Sequence, residues 1–263
     1  MALELTGEKP EFIDPFNGLQ DLAAKVLRTP GRPGDSFSDD PLRMMRAARF
    51  ASQLNFEIAP EVVTSMKDIA HRISIISAER VRDEFVKIIM SANPRIGITI
   101  LVDTGLADIV LPEIPKLRLE VDEHHHHKDV YEHSITVLEQ AIELEDRLGG
   151  PSLVIRIAAL LHDIGKPKTR AFIEGGGVSF HHHEVVGARL AKKRLQALRF
   201  DNDTIEAVEL LTMLHLRFHG YGEGEWTDSA VRRYVRDAGN FITHLHVLTR
   251  ACLLYTSPSP RDS

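Results

Sequence analysis

Apolar residues in this chain recur three and four positions apart far more often than at alternate positions. That period commits most of the chain to α-helix. Helical spacing runs through residues 21–28, 40–53, 60–71, 78–90 and 95–103, and again through 130–148, 153–163, 184–198, 203–216, 229–238 and 241–251. Proline and glycine punctuate the runs, and Thr29-Pro30-Gly31-Arg32-Pro33-Gly34 reads as a loop. Between Arg170 and Phe180, Gly175-Gly176-Gly177 joins two short β-like runs, which predicts a small hairpin. Leu3-Glu4-Leu5 and Phe12-Ile13 read as two short strands with nothing to pair against, as though left from a larger sheet. The expected fold class is therefore mainly α: one helical block, then a second helical domain with a small β-hairpin. The boundary is expected at residues 111–123, where Pro112 and Pro115 precede mixed polar residues.

Composition narrows the function classes. The chain has 263 residues, enough for one large or two modest domains, and a formal charge of −6 argues against a general polyanion binder. A single cysteine, Cys252, excludes a disulfide framework and any cysteine-based zinc site, which fits the reducing cytoplasm. No run approaches the roughly 20 apolar residues of a membrane span, and no secretory signal pattern is present. Histidine is the unusual item: 13 of the 14 lie between His124 and His246, which points to metal or proton chemistry in that half.

Asp40 and Arg43 stand three apart at a helix start, so their side chains can reach one place. A carboxylate only accepts hydrogen bonds and a guanidinium only donates them. Cytosine and adenine each offer an amino donor beside a ring-nitrogen acceptor; uracil and guanine place a carbonyl where that amino group would be. A rigid, screened Asp–Arg pair can therefore select C and A and reject U and G. From spacing alone the ordinary reading is favoured: Pro41 in a first helical turn, Asp40 as a cap, and Arg43, Arg46 and Arg49 as a solvated face.

The second constellation is His162-Asp163, which ends an apolar helix and is followed by Ile164-Gly165-Lys166-Pro167. Imidazole and carboxylate converging at a relaxed helix end suit a divalent ion. His133, His183 and His215, on other predicted helices, complete a candidate ligand series. A lone His-Asp pair means little; the series on successive helices is far more specific.

Asp14-Pro15-Phe16-Asn17-Gly18, Asp39-Asp40-Pro41-Leu42-Arg43 and Ser77-Ala78-Glu79-Arg80-Val81-Arg82-Asp83-Glu84 follow in order at suitable spacing. Together they resemble the bacterial CCA-adding tRNA nucleotidyltransferases and their poly(A) polymerase relatives. The resemblance implies a neck over residues 21–120, with Asp40 and Arg43 as the base template and Arg46 and Arg49 as further nucleotide-binding residues. It implies ATP and CTP as substrates, tRNA as partner, and a helix around Glu79–Glu84 that braces the neck. Asp39 stands where family members usually have Glu. Residues 1–20 are expected to be the remnant of a catalytic head, with the chain starting at an internal methionine. The head's magnesium-binding aspartates and triphosphate-gripping motif are not in this sequence, so the chain alone is expected not to add nucleotides. An A-adding relative or a poly(A) polymerase fits the same motifs.

The His/Asp series resembles the HD superfamily of metal-dependent phosphohydrolases, over residues 121–251. That resemblance implies a divalent metal of open identity on His133, His162, Asp163, His183 and His215, with Lys166 neutralising phosphate charge. It places a last aspartate ligand immediately after Ala251, where this chain has Cys252, so a weakened site is expected. The alternatives to CCA addition are thus an HD phosphohydrolase acting on nucleotide or RNA 2′,3′-phosphates, and a non-catalytic tRNA-binding module.

The end of the chain departs from everything before it. Residues 252–262 read CLLYTSPSPRD, which resembles one reading frame of a common transposase adapter used in DNA library preparation. Residues 252–263 are therefore expected to be foreign to the natural sequence. His124–His127 read as an entry loop, with His127 near the site; His181 and His182 read as outer or solvent-facing; His244 and His246 are assigned to no site. Arg189, Lys192, Lys193, Arg194 and Arg199 form one basic patch and Arg232, Arg233 and Arg236 another, each able to touch a phosphate backbone or to be a solvated face. With aromatics at 6%, composition does not suggest stacking on single-stranded bases.

Overall fold

The computed structural model describes residues 2–4, 11–118, 129–172, 178–217 and 227–256. It is almost wholly helical, and the strands among the described residues form three two-stranded sheets. Two compact units divide the chain, Met1–Val110 and Leu111–Ser263, so the split falls at the front edge of the predicted boundary.

The first unit opens with β1 (Ala2–Glu4) antiparallel to β2 (Glu11–Ile13), Leu3 opposite Phe12. The two runs expected to lack a partner pair with each other; a local antiparallel pair supplies its own ladder. α1 (Gly18–Ala24) starts where Gly18 and Leu19 donate their backbone N–H groups to the Asp14 carboxylate at 2.9 and 2.8 Å. Those bonds, led by Leu19, hold the Asp14 carboxyl below its ordinary range. α1 ends earlier than its apolar spacing predicts, because Lys25 turns left-handed and Val26–Leu27 becomes β3, parallel to β4 (Glu57–Ile58). Two-residue strands carry no period to read. The predicted 29–34 loop is likewise shortened: α2 (Pro33–Asp39) begins at Pro33, a first-turn position that proline suits.

α3 (Leu42–Leu54) is the spine of this unit. Leu42, Met44, Met45, Ala48, Ala51 and Ser52 lie buried along one face, against α5 (Ala78–Ile89) and α6 (Pro94–Asp103). Burying each large side chain there stabilises by roughly 1.5–3 kcal/mol. α5 is started by Ser77, whose hydroxyl accepts from Arg80 N–H. α4 (Pro60–Ile69) packs on α2, and α7 (Ala107–Val110) closes the unit.

The second unit contains α8 (Val130–Glu143), α9 (Leu153–Leu161), α10 (Lys166–Thr169), β5 (Ala171–Phe172), β6 (Val178–Ser179), α11 (His183–Ala197), α12 (Asn202–Leu214), α13 (Asp228–Ala238) and α14 (Ile242–Thr256). α9 is its centre: Ile155 through Leu161 are all buried, with α8, α12 and α14 packed around them. A buried ion pair fixes how α9 begins. Arg156 donates through Nε and a terminal nitrogen to the two Glu145 oxygens, both at 2.7 Å, and Ser152 N–H donates to Glu145 Oε1 at 2.9 Å. The predicted hairpin is present, with Ala171 opposite Ser179 and Phe172 opposite Val178; its Gly175–Gly177 turn lies outside the described residues. Instead of breaking at Ala251, the last helix runs on to Thr256 with Cys252 buried; residues 257–263 lie outside the described residues. Among the described residues no helix is long and apolar enough to cross a membrane.

Candidate functional site

The second unit gathers all five expected ligands. Asp163 follows the end of α9, and its carboxylate faces four imidazoles. His162 and His133 Nε2 lie 3.2 and 3.5 Å from Oδ2; His183 and His215 Nε2 lie 3.2 and 3.7 Å from Oδ1. Two sets, His133–His162–Asp163 and Asp163–His183–His215, each hold their ligand atoms within 4.8 Å of one another, with Asp163 shared. Lys166 Nζ donates to Asp163 Oδ2 at 2.6 Å.

The backbone sets the imidazole tautomers. Nδ1–H of His162 donates to the Ala159 carbonyl at 2.8 Å, that of His183 to Phe180 at 2.8 Å, and that of His215 to Thr212 at 2.6 Å. Each bond reaches three residues back and leaves Nε2 turned toward Asp163. The Nε2 atoms of His183 and His215 are buried without a hydrogen-bond partner. Two buried ring nitrogens without a hydrogen-bond partner, both facing one carboxylate, suit a cation between them, and a nitrogen/oxygen donor set suits a divalent ion. The residues present therefore fit a metal.

Protonation without metal follows from the same geometry. Burial, helped by the neighbouring His162, pushes His133 down to about 3, and burial pushes His215 down to about 4. His162 goes the other way: burial opposes its charge, but Asp163 and then Cys252 favour the protonated ring and raise it well above the ordinary value. Asp163, despite burial, is held well below the usual carboxylate range by His162, His183 and His215. Cys252 thus comes against His162, at the side of the cluster where the sequence led one to expect a final ligand.

Glycine makes the convergence possible. A Cβ on Gly165 would overlap the His183 carbonyl oxygen and stand 2.7 Å from Gly187 N, so only glycine lets the start of α11 approach the Asp163 turn. His182 is left-handed at φ 60°, which turns the chain into α11 just before His183. Its own side chain is 82% exposed, and His181 is exposed too, in line with the outer placement expected of both. His127 lies outside the described residues.

The first unit places Asp40 and Arg43, the pair expected to read a base, as follows. Asp40 Oδ1 accepts from Leu42 N–H at 3.1 Å, and Oδ2 accepts from Arg80 at 3.1 Å. Arg43 donates to Ser36 Oγ at 3.0 Å and to the Ser36 carbonyl at 3.2 Å. Arg43 and Arg46 line a cavity of about 420 Å³ together with Phe37, Phe50 and Arg28, within the size range of small-molecule sites. Arg49 is separated from them. It donates to Glu84 at 3.1 Å, and Glu84, 5% exposed, also accepts from Lys87. Ser36 belongs to no sequence motif and Arg80 only to the bracing helix; nothing in local spacing links Asp40 to a residue 40 positions away. The basic patch on α11 is partly neutralised, since Lys192 pairs with Glu209 and Arg194 with Glu113, both at 2.8 Å. His244, half-buried, packs edge-on to Phe241, and His246 stacks on Tyr234.

Two family models match the chain. Residues 55–117 match the probable RNA and SrmB-binding site of polymerase A, and residues 130–251 match the HD domain. The multifunctional CCA protein of Neisseria meningitidis serogroup A is 36% identical over 228 residues, covering 85% of this chain and 51% of that protein. The A-adding tRNA nucleotidyltransferase of Deinococcus radiodurans is 35% identical over 215 residues, covering 80% and 48%. In fold, the chain resembles the Bacillus stearothermophilus CCA-adding enzyme solved with CTP, with a TM-score of 0.61 at 22% identity, covering 94% of this chain and 50% of that one. The chain therefore joins a polymerase-type RNA-binding region to an HD domain. It is similar to tRNA nucleotidyltransferases that pair these two regions, and it spans about half the length of the curated relatives it matches.

Proposed function

We propose that this chain supplies the base-selecting neck and the HD domain of a tRNA nucleotidyltransferase that adds C, C and A to the tRNA 3′ end from CTP and ATP. The observation that carries this reading is the fixed Asp40–Arg43 pair. Arg80 and the Leu42 N–H hold the carboxylate, while Ser36 holds the guanidinium beside a cavity open to a ligand. An acceptor and a donor held in this way select the amino-bearing edge of cytosine or adenine. Arg46 lies on the same cavity and is assigned to the nucleotide, with Arg43; Arg49, tied to Glu84, is assigned to bracing. An A-adding enzyme or a poly(A) polymerase fits the same Asp40–Arg43 pair. The test joins this chain to the upstream half of the Neisseria meningitidis relative and supplies tRNA lacking its terminal CCA. C and A incorporation over U and G supports the reading, and unchanged selection in Asp40→Ala/Arg43→Ala refutes it.

A second reading is favoured by the Asp163 cluster: the HD domain is a metal-dependent phosphohydrolase. His133, His162, Asp163, His183 and His215 would hold the metal. A divalent ion there would make a water more acidic and offset phosphate charge. Lys166, which pairs with Asp163 at the edge of the cluster, is assigned to offset phosphate charge. Divalent-ion-dependent release of phosphate from nucleotides, lost in Asp163→Ala, supports this reading; release that persists in that variant refutes it.

A further inference from the structure

The cavity beside Arg43 has an apolar wall made by Leu27, Phe37, Ala47, Phe50 and Val62. Phe37 is fully buried, whereas Phe50 is half-buried, so Phe50 is the ring that a ligand in the cavity can reach. The Arg49 guanidinium lies 4.3 Å from the Phe50 ring centroid and is no part of the cavity wall. The cation therefore covers one face of the ring, and the cavity meets the ring away from it. Arg49 is anchored in turn by the buried Glu84 at 3.1 Å, so the ring is held from α5 through two side chains. Arg43, Ala47 and Phe50 follow at intervals of four and three along α3 and share a face. Ala47 projects only a methyl group between its two larger neighbours. It leaves a slot from Arg43 to Phe50 that is two helical turns long, about 10 Å.

A held ring at one end of a slot and a hydrogen-bonding pair at the other match the two surfaces of a nucleobase, its π-face and its edge. We infer that Phe50 is the stacking platform of the neck: the base whose edge meets Asp40 and Arg43 lies with its face on the Phe50 ring. This rests on the base-selecting reading and adds to it what fixes the plane of the base. An acceptor and a donor can test an edge only if that edge is presented to both at once. Stacking does not distinguish an amino edge from a carbonyl edge, because every base has a π-face. Phe50 thus supplies affinity common to all bases, larger for the wider purine, and leaves the choice to Asp40 and Arg43. The low aromatic content is no obstacle, because stacking needs one well-placed ring.

The test is calorimetric binding of adenosine, cytidine, uridine and guanosine to the full chain with a chelator present, for wild type, Phe50→Leu and Phe50→Trp. Free nucleosides carry no phosphate and the chelator removes divalent ions, which keeps the His–Asp cluster out of the measurement. Wild type is expected to bind adenosine and cytidine more tightly than uridine and guanosine. Phe50→Leu, still apolar but without a π-face, is expected to bind adenosine about tenfold more weakly than wild type, with a smaller loss for cytidine. Phe50→Trp is expected to bind both at least as tightly as wild type, and the preference for amino-bearing bases to be the same in all three. The chain has one tryptophan, Trp226, so Phe50→Trp adds a second readout: adenosine is expected to quench the fluorescence of the new indole, seen as the difference from wild type. Equal adenosine affinity in wild type and a folded Phe50→Leu, or a new indole that adenosine leaves unquenched, overturns the inference and leaves base selection standing. Wild type that binds all four nucleosides alike, or none, overturns both.

Discussion

Arg80 reaches from the first turn of α5 to Asp40, 3.1 Å away, and so joins two segments 40 residues apart at the carboxylate assigned to base selection. The contact orients that carboxylate and adds little to folding, since the Arg80 side chain is 52% exposed. In the chimeric enzyme, Arg80→Ala is expected to lower selection of C and A over U and G by about tenfold, the worth of one charge-assisted hydrogen bond. Thermal unfolding is expected to stay within about 0.5 kcal/mol of wild type. Selection that survives Arg80→Ala unchanged would remove Arg80 from the template.

Asp163 is shared by both candidate ligand sets. Asp163→Asn keeps the shape but loses the charge, and equilibrium dialysis against manganese or zinc is expected to show at least a roughly 100-fold loss of affinity. Affinity within a few-fold of wild type would show that the imidazoles alone hold the ion.

Gly165 sits where a Cβ would meet the backbone of α11. Gly165→Ala is therefore expected to push His183 away from Asp163 and to destabilise the chain by about 1–3 kcal/mol, as overpacking does. Metal affinity should fall in the same variant, measured after confirming folding by circular dichroism. A variant of wild-type stability and affinity would mean that the two segments can separate freely.

The pH dependence has a definite sign. His133 and His215 are neutral in the folded chain, with values of about 3 and about 4, whereas the unfolded chain binds those protons near 6.5. Between about 6.5 and 4 the unfolded state takes up more protons, so metal-free stability should decline as pH falls through that window. His162, raised above its ordinary value, contributes stability that is complete below about 6.5 and is lost only as pH rises through its folded value. Its slope thus lies at higher pH. Calorimetry across pH 4–9 checks both; a Tm that rises on acidification from 6.5 to 4 would contradict the neutral assignment of the two rings.

Glu145 and Arg156 are buried together with bidentate geometry. Removing one partner strands the other charge, so Glu145→Ala is expected to cost about 3–5 kcal/mol in urea unfolding. A loss below about 1 kcal/mol would show that water reaches Arg156.

Much of this architecture could be read in the chain because helices announce themselves by period. Residues 78–90 and 95–103 were placed within a residue or two of α5 and α6. The His/Asp series was legible because its members sit at helix ends punctuated by glycine and proline. What escaped notice was whatever depends on tertiary pairing. β3 and β4 are two residues each, α2 was hidden behind Pro33 and Gly34, and Arg80 finds Asp40 only once α5 packs on α3. Arg49 shows the converse: its spacing put it with Arg43 and Arg46, but a drift of three residues along the helix turned it toward Glu84.

The carbonyls that hold His162 and His215 belong to the closing turns of α9 and α12, and the carbonyl that holds His183 lies just ahead of α11. Ring direction is thus dictated locally, by hydrogen bonds each spanning three residues, and not by a distant scaffold. Loosening any one of these termini lets its imidazole swivel while the remaining layers stay folded. Metal retention would then act as a gauge of fraying at two helix exits and one entrance, registering damage before the cooperative melt begins.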